Sequence, residues 1–423
     1  MFGDDKMKQM KDSGIEWIGQ IPEEWNIWPT KRFFRHTKTL AGEKVDSYER
    51  LALTMNGVIK RSKDDSEGLQ PEKFDTYQVL CENELVFKLI DLANVKTSRV
   101  GLSPYTGIVS PAYIILTNDN EDNRFYYYYF MSMYYNEIFN NLGDNGVRSS
   151  LNAQDLLNIP MVDIPSSLQK RIADFLDEKC GKIDRYIEKQ QKIIDKLKEY
   201  KQAVITEAVT KGLDPDAPMK DSGIEWIGMI PKHWDVKKFG YIAKVKANLV
   251  HPNAYGDYPQ VSSENIEKST GRLLKCKTVN DVGVISDNHL FFKGQILYSK
   301  IRPALNKACI APFDGLCSAD IYPIETMENT EFVLFSILSE SFLEQVRTLT
   351  ETRVKMPKIN QNELSGILSC VPPLEEQNNI VAYINRKMKS IEHVLVKKER
   401  ILEKLIEYKR SLIYEAVTGK MEV

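Results

Sequence analysis

The stretch Lys11-Asp12-Ser13-Gly14-Ile15-Glu16-Trp17-Ile18-Gly19 recurs letter for letter in this chain, as Lys220-Asp221-Ser222-Gly223-Ile224-Glu225-Trp226-Ile227-Gly228. A second block, Glu207-Ala208-Val209-Thr210, recurs as Glu415-Ala416-Val417-Thr418 at an offset of 208 residues. Between these blocks the halves scarcely agree, although Gly107-Ile108-Val109-Ser110 has a sparse counterpart in Gly315-Leu316-Cys317-Ser318. The chain is therefore a tandem duplication, and it predicts one architecture that offers two different surfaces.

Each half ends in a long helical segment. Apolar residues alternate there at spacings of four and three, which is the signature of a coiled-coil seam. The predicted seam consists of Ile183, Ile187, Ile194, Leu197 and Val204 in the first helix and Ile391, Leu395, Leu402, Leu405 and Leu412 in the second. Equivalent seam positions carry polar residues that can fix register, namely Gln190 and Lys201 in the first helix and Lys398 and Lys409 in the second.

Two amphipathic helices buried in separate domains are the alternative to a coiled coil. A helix of about 40 residues runs roughly 65 Å, which exceeds the diameter of a small domain, so it needs a partner along its length. The other copy is the obvious partner. Isologous pairing of duplicated units favours an antiparallel coiled coil with a pseudo-twofold relation between the halves.

The variable segments carry short apolar runs bounded by turn residues, which predict strands, and each carries one helical stretch, at 125–142 and 332–349. The aromatic run at 125–130 could stack on bases, but its counterpart is a plain apolar helix, which favours core packing. We expect an α+β fold, with two mixed α/β domains separated by two long helices. The predicted segments are a first domain at 1–165, a helix at 166–212, a linker and second domain at 213–373, and a second helix with tail at 374–423.

Composition sets only loose limits on function. The 57 Lys and Arg against 59 Asp and Glu give a net charge of -2, which gives no sign of a polyanionic partner. No run approaches the about 18 apolar residues of a membrane span, and no secretory leader is evident, so we expect a cytoplasmic protein. The six cysteines form no C-x-x-C pair, which favours reduced thiols.

Motifs for catalysis are missing from the sequence. There is no phosphate-binding G-x-x-x-x-G-K-[ST] loop, no G-x-G-x-x-G fingerprint and no Asn-Pro-Pro-Tyr type motif of amino-group methylation. The five histidines show no metal-ligand spacing. We therefore expect neither a catalytic residue, nor a metal site, nor a cofactor bound by this chain.

Basic and amide side chains cluster in predicted loops at matching places in both halves. Arg and Lys suit phosphates and guanine edges, and Asn can pair with adenine, so these sets are fit for reading a DNA groove. The alternative for each single residue is solvated surface charge. The candidates are Lys60, Arg61, Lys88, Asn94, Lys96, Arg99 and Arg148 in the first half and Lys300, Arg302, Asn306, Lys307, Arg353, Lys355 and Lys358 in the second.

The repeated Asp-Ser-Gly-Ile-Glu-Trp-Ile-Gly block, the helix ending Glu-Ala-Val-Thr-Lys-Gly-Leu-Asp-Pro and the Pro-Pro-Leu-Glu-Glu-Gln that opens the second helix resemble type I restriction-modification specificity subunits over the entire chain. The resemblance implies two target recognition domains, 1–165 and the domain within 213–373, joined by two helical regions that form a ruler. Each domain would read half of a bipartite, asymmetric site in double-stranded DNA.

The same resemblance implies partners. The helices would dock two methyltransferase subunits, which methylate adenine with S-adenosylmethionine, and the methyltransferase core would recruit restriction subunits driven by ATP with Mg. This chain would then be a non-catalytic subunit that positions its partners. A structural scaffold with two protein-binding modules and a nuclease with an unrecognised site remain the rival interpretations.

Two segments resemble the recognition-domain motifs of that family. In the second half these are residues 297–307, with Ser318 and Asp320 after Gly315. The first half has Phe87-Lys88-Leu89-Ile90-Asp91 in place of a Lys-Ile-Arg-Pro run, while Asn94-Val95-Lys96 and the segment from Ser110 to Tyr113 look like another variant. The resemblance thus adds Ser110, Tyr113, Ser318 and Asp320 to the candidate DNA contacts. The absence of a Lys-Ile-Arg-Pro run from the first half is consistent with two different half-sites.

Overall fold

The computed structural model of the chain describes residues 9–55, 57–65, 74–90, 92, 99–142, 150–353 and 357–423. The chain divides into two compact units, of which unit 1 combines Met1–Gln190 with Ile401–Val423 and unit 2 is Gln191–Arg400. Each unit therefore contains one variable segment and part of each long helix. The four segment boundaries expected from the sequence stay a prediction.

Unit 1 is built from short strands and helices. Its strands are β1 Met10–Asp12, β2 Gln20–Pro22, β3 Asn26–Pro29, β4 Arg35–His36, β5 Arg50–Thr54, β6 Gly57–Arg61, β7 Gln78–Leu80, β8 Leu85–Phe87, β9 Val100–Leu102, β10 Gly107–Val109, β11 Ile114–Thr117 and β12 Pro160–Asp163. Its variable-segment helices are α1 Arg124–Tyr135, α2 Ile138–Asn141 and α3 Ala153–Leu157, and α4 Ser166–Lys211 is the first long helix.

Unit 2 has a corresponding set of elements. Its strands are β13 Met219–Asp221, β14 Met229–Pro231, β15 Asp235–Lys238, β16 Ala243–Val245, β17 Leu249–Val250, β18 Pro259–Val261, β19 Lys277–Thr278, β20 Asn288–Phe291, β21 Ile296–Ser299, β22 Ala308–Ile310, β23 Gly315–Cys317, β24 Ile321–Thr326 and β25 Leu368–Val371. Its helices are α5 Phe239–Ile242, α6 Val279–Val282, α7 Thr330–Leu338, α8 Glu340–Thr350 and α9 Gln361–Gly366, and α10 Leu374–Val417 is the second long helix.

The two variable segments share one sheet topology despite their different sequences. One sheet has the order β4-β11-β8-β9 in unit 1 and β16-β24-β21-β22 in unit 2. The other has the order β6-β5-β10-β7 in unit 1 and β19-β18-β23-β20-β17 in unit 2. In each unit the central strand of this second sheet pairs in parallel with one neighbour and antiparallel with the other. The expected α+β architecture is confirmed.

The long helices begin and end where the sequence indicates. Each starts directly after a proline, and each is followed by a glycine in the left-handed region, Gly212 with φ 75° and Gly419 with φ 73°. Every predicted apolar seam residue is buried or half-buried, whereas the positions between them are largely exposed. In unit 1 the seam of α4 packs with that of α10 in one core that contains Ile183 and Leu412.

The same ion pair joins α4 and α10 in each unit. In unit 1 the Lys409 ammonium lies 2.7 Å from the Asp184 carboxylate. In unit 2 the Lys201 ammonium lies 3.7 Å from the Glu392 carboxylate. The two lysines are equivalent in the repeat, as are the two carboxylates, and both lysines are the polar seam residues. Within each unit the helices run antiparallel, as predicted, while the pseudo-twofold relation between the halves stays a prediction.

The repeated nine-residue block folds identically in both units. In unit 1 the backbone N–H of Gly14 donates to the Asp12 carboxylate at 3.0 Å, and Gly14 and Gly19 have positive φ. In unit 2 Gly223 donates to Asp221 at 2.9 Å, with the same backbone signs. Trp25 and Trp234, which follow the two blocks, are buried against Gly419 and Gly212, so each tryptophan packs on the end of a long helix within its own unit.

The helical stretches of the variable segments are broken, which differs from the single helices predicted at 125–142 and 332–349. The first breaks at Glu137, which adopts a left-handed φ of 57°. The second breaks at Ser339, which is extended and caps α8 by accepting from the Phe342 N–H at 3.3 Å. The aromatic run of α1 is buried in the core of unit 1, which confirms core packing over base stacking.

In the part of the chain that the structure describes, no helix has the length and apolar character of a membrane span.

Gly107 and Gly315, equivalent in the repeat, provide a test of the shared topology. A Cβ at Gly107 would lie 2.5 Å from the Glu49 carbonyl oxygen, and one at Gly315 would lie 2.6 Å from the Pro259 carbonyl oxygen. Since neither backbone can move aside, Gly107→Ala and Gly315→Ala should each destabilise the protein by about 1–3 kcal/mol in urea unfolding. The matched control, Gly181→Ala in open space on α4, should instead stabilise it by about 0.5–1 kcal/mol. Unchanged stability in the first two variants would contradict the strand register.

Candidate nucleic-acid interface

The candidates of unit 2 converge where β21 ends. The Lys300 N–H donates to the Asp320 carbonyl at 3.0 Å, and the Ile359 N–H donates to the Lys300 carbonyl at 3.0 Å. Three chain segments that are distant in sequence therefore meet at this point. The Lys300 ammonium lies 3.9 Å from the Asp320 carboxylate and 5.1 Å from the centre of the Tyr322 ring.

Lys358 completes this group, because its ammonium donates to the Asp320 carboxylate at 3.1 Å. One carboxylate thus lies between two ammonium groups, which leaves a local excess of positive charge. We name Lys300, Asp320 and Lys358 the unit 2 cluster. Lys307 borders it and donates from its ammonium to the Ser263 carbonyl at 2.6 Å.

The loop after Lys300 carries two non-glycine residues in the left-handed region, Arg302 with φ 44° and Asn306 with φ 46°. Such conformations cost about 1–3 kcal/mol each and accumulate at functional sites. Arg302 is exposed, and its guanidinium has no polar partner among the residues that the structure describes. Of the second-half candidates, Arg302 is therefore a cation that can meet a phosphate or a base edge directly.

Two candidates of unit 1, Lys60 and Arg61, lie on β6 of the β5–β6 hairpin. The Lys60 ammonium lies 2.5 Å from the Glu49 carboxylate and 5.1 Å from the Tyr105 ring centre. Arg61 donates to the Asp65 carboxylate at 2.6 Å. These cations are paired with acids, as in unit 2, but they lie on a different strand of the framework.

A four-residue turn follows the central strand in both units. In unit 1 the Tyr113 N–H donates to the Ser110 carbonyl at 3.1 Å, and in unit 2 the Ile321 N–H donates to the Ser318 carbonyl at 2.8 Å. The serine hydroxyl accepts from the residue two positions later at 3.3 Å in each case. The turn therefore has one backbone and two side-chain sets, Ser110-Pro111-Ala112-Tyr113 and Ser318-Ala319-Asp320-Ile321.

Two predicted contacts face inward, and this corrects the surface role expected for them. Arg99 is 3% exposed and donates to the Leu92 carbonyl at 2.6 Å. Asn306 is 2% exposed and donates to the Leu338 carbonyl at 3.2 Å. Burial of these groups is compensated by hydrogen bonds to backbone, so both side chains hold their loops together in this conformation.

The other candidates are half-buried, are paired with a carboxylate or lie outside the described residues. Lys88 is half-buried, and its N–H donates to the Arg99 carbonyl at 2.9 Å. Arg353 is hydrogen-bonded through its guanidinium to the Glu363 carboxylate, with one N–O distance of 2.5 Å, and it also contacts the Lys358 carbonyl. Four candidates lie outside the described residues: Asn94, Lys96, Arg148 and Lys355. As a set, the DNA contacts stay a prediction.

The sequence analysis missed several residues near these candidates. Arg50 lies on β5 with its guanidinium 5.4 Å from the Phe74 ring, and Lys63 donates to the Val45 carbonyl at 2.8 Å. Gln78 and His289 lie beside the two turns. Arg50, Gln78 and His289 are buried. The strand registers that place them near the candidates connect distant parts of the chain, and no local pattern signals them.

Among the described residues no group of three or more His, Cys, Asp or Glu side chains is arranged to hold a metal ion.

Comparison with known proteins gives three informative matches. The chain is 31% identical over 276 residues to the Type I restriction enzyme EcoDI specificity subunit of Escherichia coli, a match that spans 62% of each protein. It is 23% identical over 430 aligned positions to the Putative type I restriction enzyme MjaX specificity subunit of Methanocaldococcus jannaschii, which covers 96% of both. No protein-family model matches the chain.

A solved structure supplies the third match. It is described as the structural basis underlying complex assembly and conformational transition of the type I R-M system, and its chain superposes with a TM-score of 0.69 at 13% identity, covering 95% of this chain and 99% of that one. At this identity the likeness concerns the fold. In sequence this chain is similar to type I restriction enzyme specificity subunits, and in fold it is similar to a chain of a type I R-M system.

In this chain the turn backbone and the sheet order recur in both units, while the side chains around them differ. The match to the Escherichia coli subunit covers less than two thirds of that protein's length.

The Arg353–Glu363 pair gives a prediction on pH. Hydrogen bonds from the Arg353 guanidinium hold the pKa of the Glu363 carboxyl below its ordinary value. Because the folded-state pKa is depressed, the stabilisation is present above the ordinary carboxyl pKa and is lost as the pH falls through the folded pKa. Arg353→Ala should raise the pKa of Glu363 towards its ordinary value, measured by carbon NMR titration of labelled glutamate. The matched variant Arg272→Ala, which leaves Glu363 untouched, should not move it.

Proposed function

We propose that this chain is the DNA sequence-specificity subunit of a type I restriction-modification complex. The observation that carries the proposal is the turn that recurs in both units with different side chains at its surface, because one framework with two contact sets suits a bipartite, asymmetric site. The match to the Escherichia coli specificity subunit supports the same function.

In this mechanism the chain contributes recognition and positioning. Each unit engages one half-site, with cations on phosphates and polar side chains on base edges. Two methyltransferase subunits dock on the complex and methylate adenine after flipping it from the duplex. S-adenosylmethionine is bound by those partners, while restriction subunits bring ATP and Mg. The chain itself is non-catalytic, and it acts in the cytoplasm, where the host DNA lies.

Genome-wide sequencing of methylated adenines tests this function. The chain is expressed with the methyltransferase subunit of its own host, and the control is the methyltransferase alone. We expect methylation at one bipartite sequence with a fixed spacer, and its loss in the control. If the methylated sites are the same without the chain, the proposal is wrong.

Two other results favour the rivals. Sequence-independent binding by the complete complex, measured by gel shift on randomised duplexes, would support a scaffold. Metal-dependent DNA cleavage by the isolated chain would support a nuclease.

The exposed Arg302 gives a sharper test at the level of one side chain. Arg302→Gln removes a cation that meets phosphate directly, so it should weaken DNA binding by the complex and lower the slope of log affinity against log salt by about 1. Fluorescence anisotropy at several salt concentrations measures both. Lys293→Gln is the matched control, because Lys293 lies before β21 and Arg302 lies after it. The control variant should leave the slope unchanged. Equal slopes in the two variants would contradict a phosphate contact at Arg302.

A further inference from the structure

Gln78 and His289 occupy the same place in the two units, although no sequence alignment pairs them. Gln78 is the register partner of Val109 on β10, and His289 is the register partner of Cys317 on β23. Val109 and Cys317 are equivalent in the repeat, and each directly precedes the four-residue turn. The framework therefore places one polar side chain beside each turn, an amide in unit 1 and an imidazole in unit 2.

In unit 1 the contact spans the turn. The Gln78 side-chain amide donates to the Ser110 carbonyl at 2.9 Å and to the Tyr113 carbonyl at 2.5 Å. These are the first and last residues of the turn, so a single side chain holds both of its ends. Loss of that amide would leave two carbonyls without these donors.

In unit 2 the strand register places the imidazole beside the turn. His289 lies opposite Cys317, and the next residue, Ser318, begins the turn. Burial and, to a smaller extent, the Lys300 charge lower the pKa of His289, while the Ala319 backbone has the opposite effect. Ala319 is the second residue of the turn, and Asp320 beside it belongs to the unit 2 cluster.

Both side chains keep a buried polar atom without a hydrogen-bond partner among the described residues, the Gln78 Oε1 atom and the His289 Nδ1 atom. Gln78 is fully buried and His289 is 5% exposed. An unsatisfied buried polar atom costs more free energy than one neutral hydrogen bond returns, so packing alone would favour an apolar residue here. The polar residue at this position in both units therefore calls for a role beyond packing.

We propose that Gln78 and His289 are positioning residues that set the conformation of the turns after β10 and β23, and that each thereby helps to determine the base preference of its own half. This inference rests on the proposed function, because base preference presupposes DNA recognition. Neither residue touches DNA in this mechanism. Each acts through the turn residues, Tyr113 in unit 1 and Asp320 in unit 2.

The test uses the full chain in complex with its methyltransferase subunit and a library of randomised duplexes. Methylated products are sequenced to give the base preference at each position of both half-sites. Gln78→Met keeps the size of the side chain and removes the donor, and it should change the preference at one or more positions of one half-site by about tenfold or more. The other half-site should stay as in the wild type. His289→Phe should change the preference in that other half-site and leave the first half-site as in the wild type.

Conservative variants and controls separate positioning from folding. Gln78→His and His289→Gln each keep a hydrogen-bond donor. Their base preferences should be closer to those of the wild type than the preferences of the apolar variants are. Trp25→Phe and Ser369→Ala remove other buried polar atoms without partners, Trp25 Nε1 and Ser369 Oγ, which do not belong to the turns. Both should leave the two half-site profiles unchanged. Because both half-sites are read in one molecule, a misfolded variant would lose both profiles together.

The outcomes distinguish this inference from the proposed function. If the wild-type complex methylates no bipartite site, the proposed function fails. If the wild type does so and Gln78→Met and His289→Phe reproduce both of its profiles, only the positioning role is overturned. Equal loss of preference in both half-sites would also overturn it, since a positioning residue acts on its own half.

Discussion

The close backbone approach at Gly107 and Gly315 is the constraint on which the candidate interface depends. At each glycine, a carbonyl of the preceding strand segment occupies the space that a Cβ would need. This contact brings β10 against β5 and β23 against β18 in a parallel register, while β7 and β20 pair on the other side. With the strands fixed in this way, the turn that follows has a defined place beside Gln78 in one unit and His289 in the other.

The repeated elements show which parts of the fold can be predicted from the sequence alone. The seam periodicity placed both long helices within a few residues, because a spacing of four and three is a local pattern. The short landmark from Gly107 to Ser110 proved to be the central strand and the first turn residue, and its counterpart is identical in structure. The breaks at Glu137 and Ser339 were missed, since apolar content continues through them and only backbone conformation ends the helix.

The residue types of the candidate interface could be predicted from the sequence, but the positions of their side chains could be predicted only in part. The sequence analysis identified the loop that begins at Lys300 and also identified Lys358. The structure brings both lysines together around Asp320. It could not show that Arg99 and Asn306 turn inward. Nor could it show that five of the nine described candidate cations, Lys60, Arg61, Lys300, Arg353 and Lys358, lie beside a carboxylate. These pairings offset part of the positive charge of the candidate cations, and exposed pairs of this kind contribute little stability. A phosphate that bound here would compete with the acidic neighbours.

The loop that follows β21 in unit 2 holds two non-glycine residues, Arg302 and Asn306, in the left-handed region. A loop held in costly conformations by its surroundings has already lost much of its backbone freedom before any ligand arrives. Association through such a loop forfeits little further entropy, so its binding surface is preorganised. A ligand that bound this loop would therefore cost the protein less conformational entropy than a ligand that had to order a loop first.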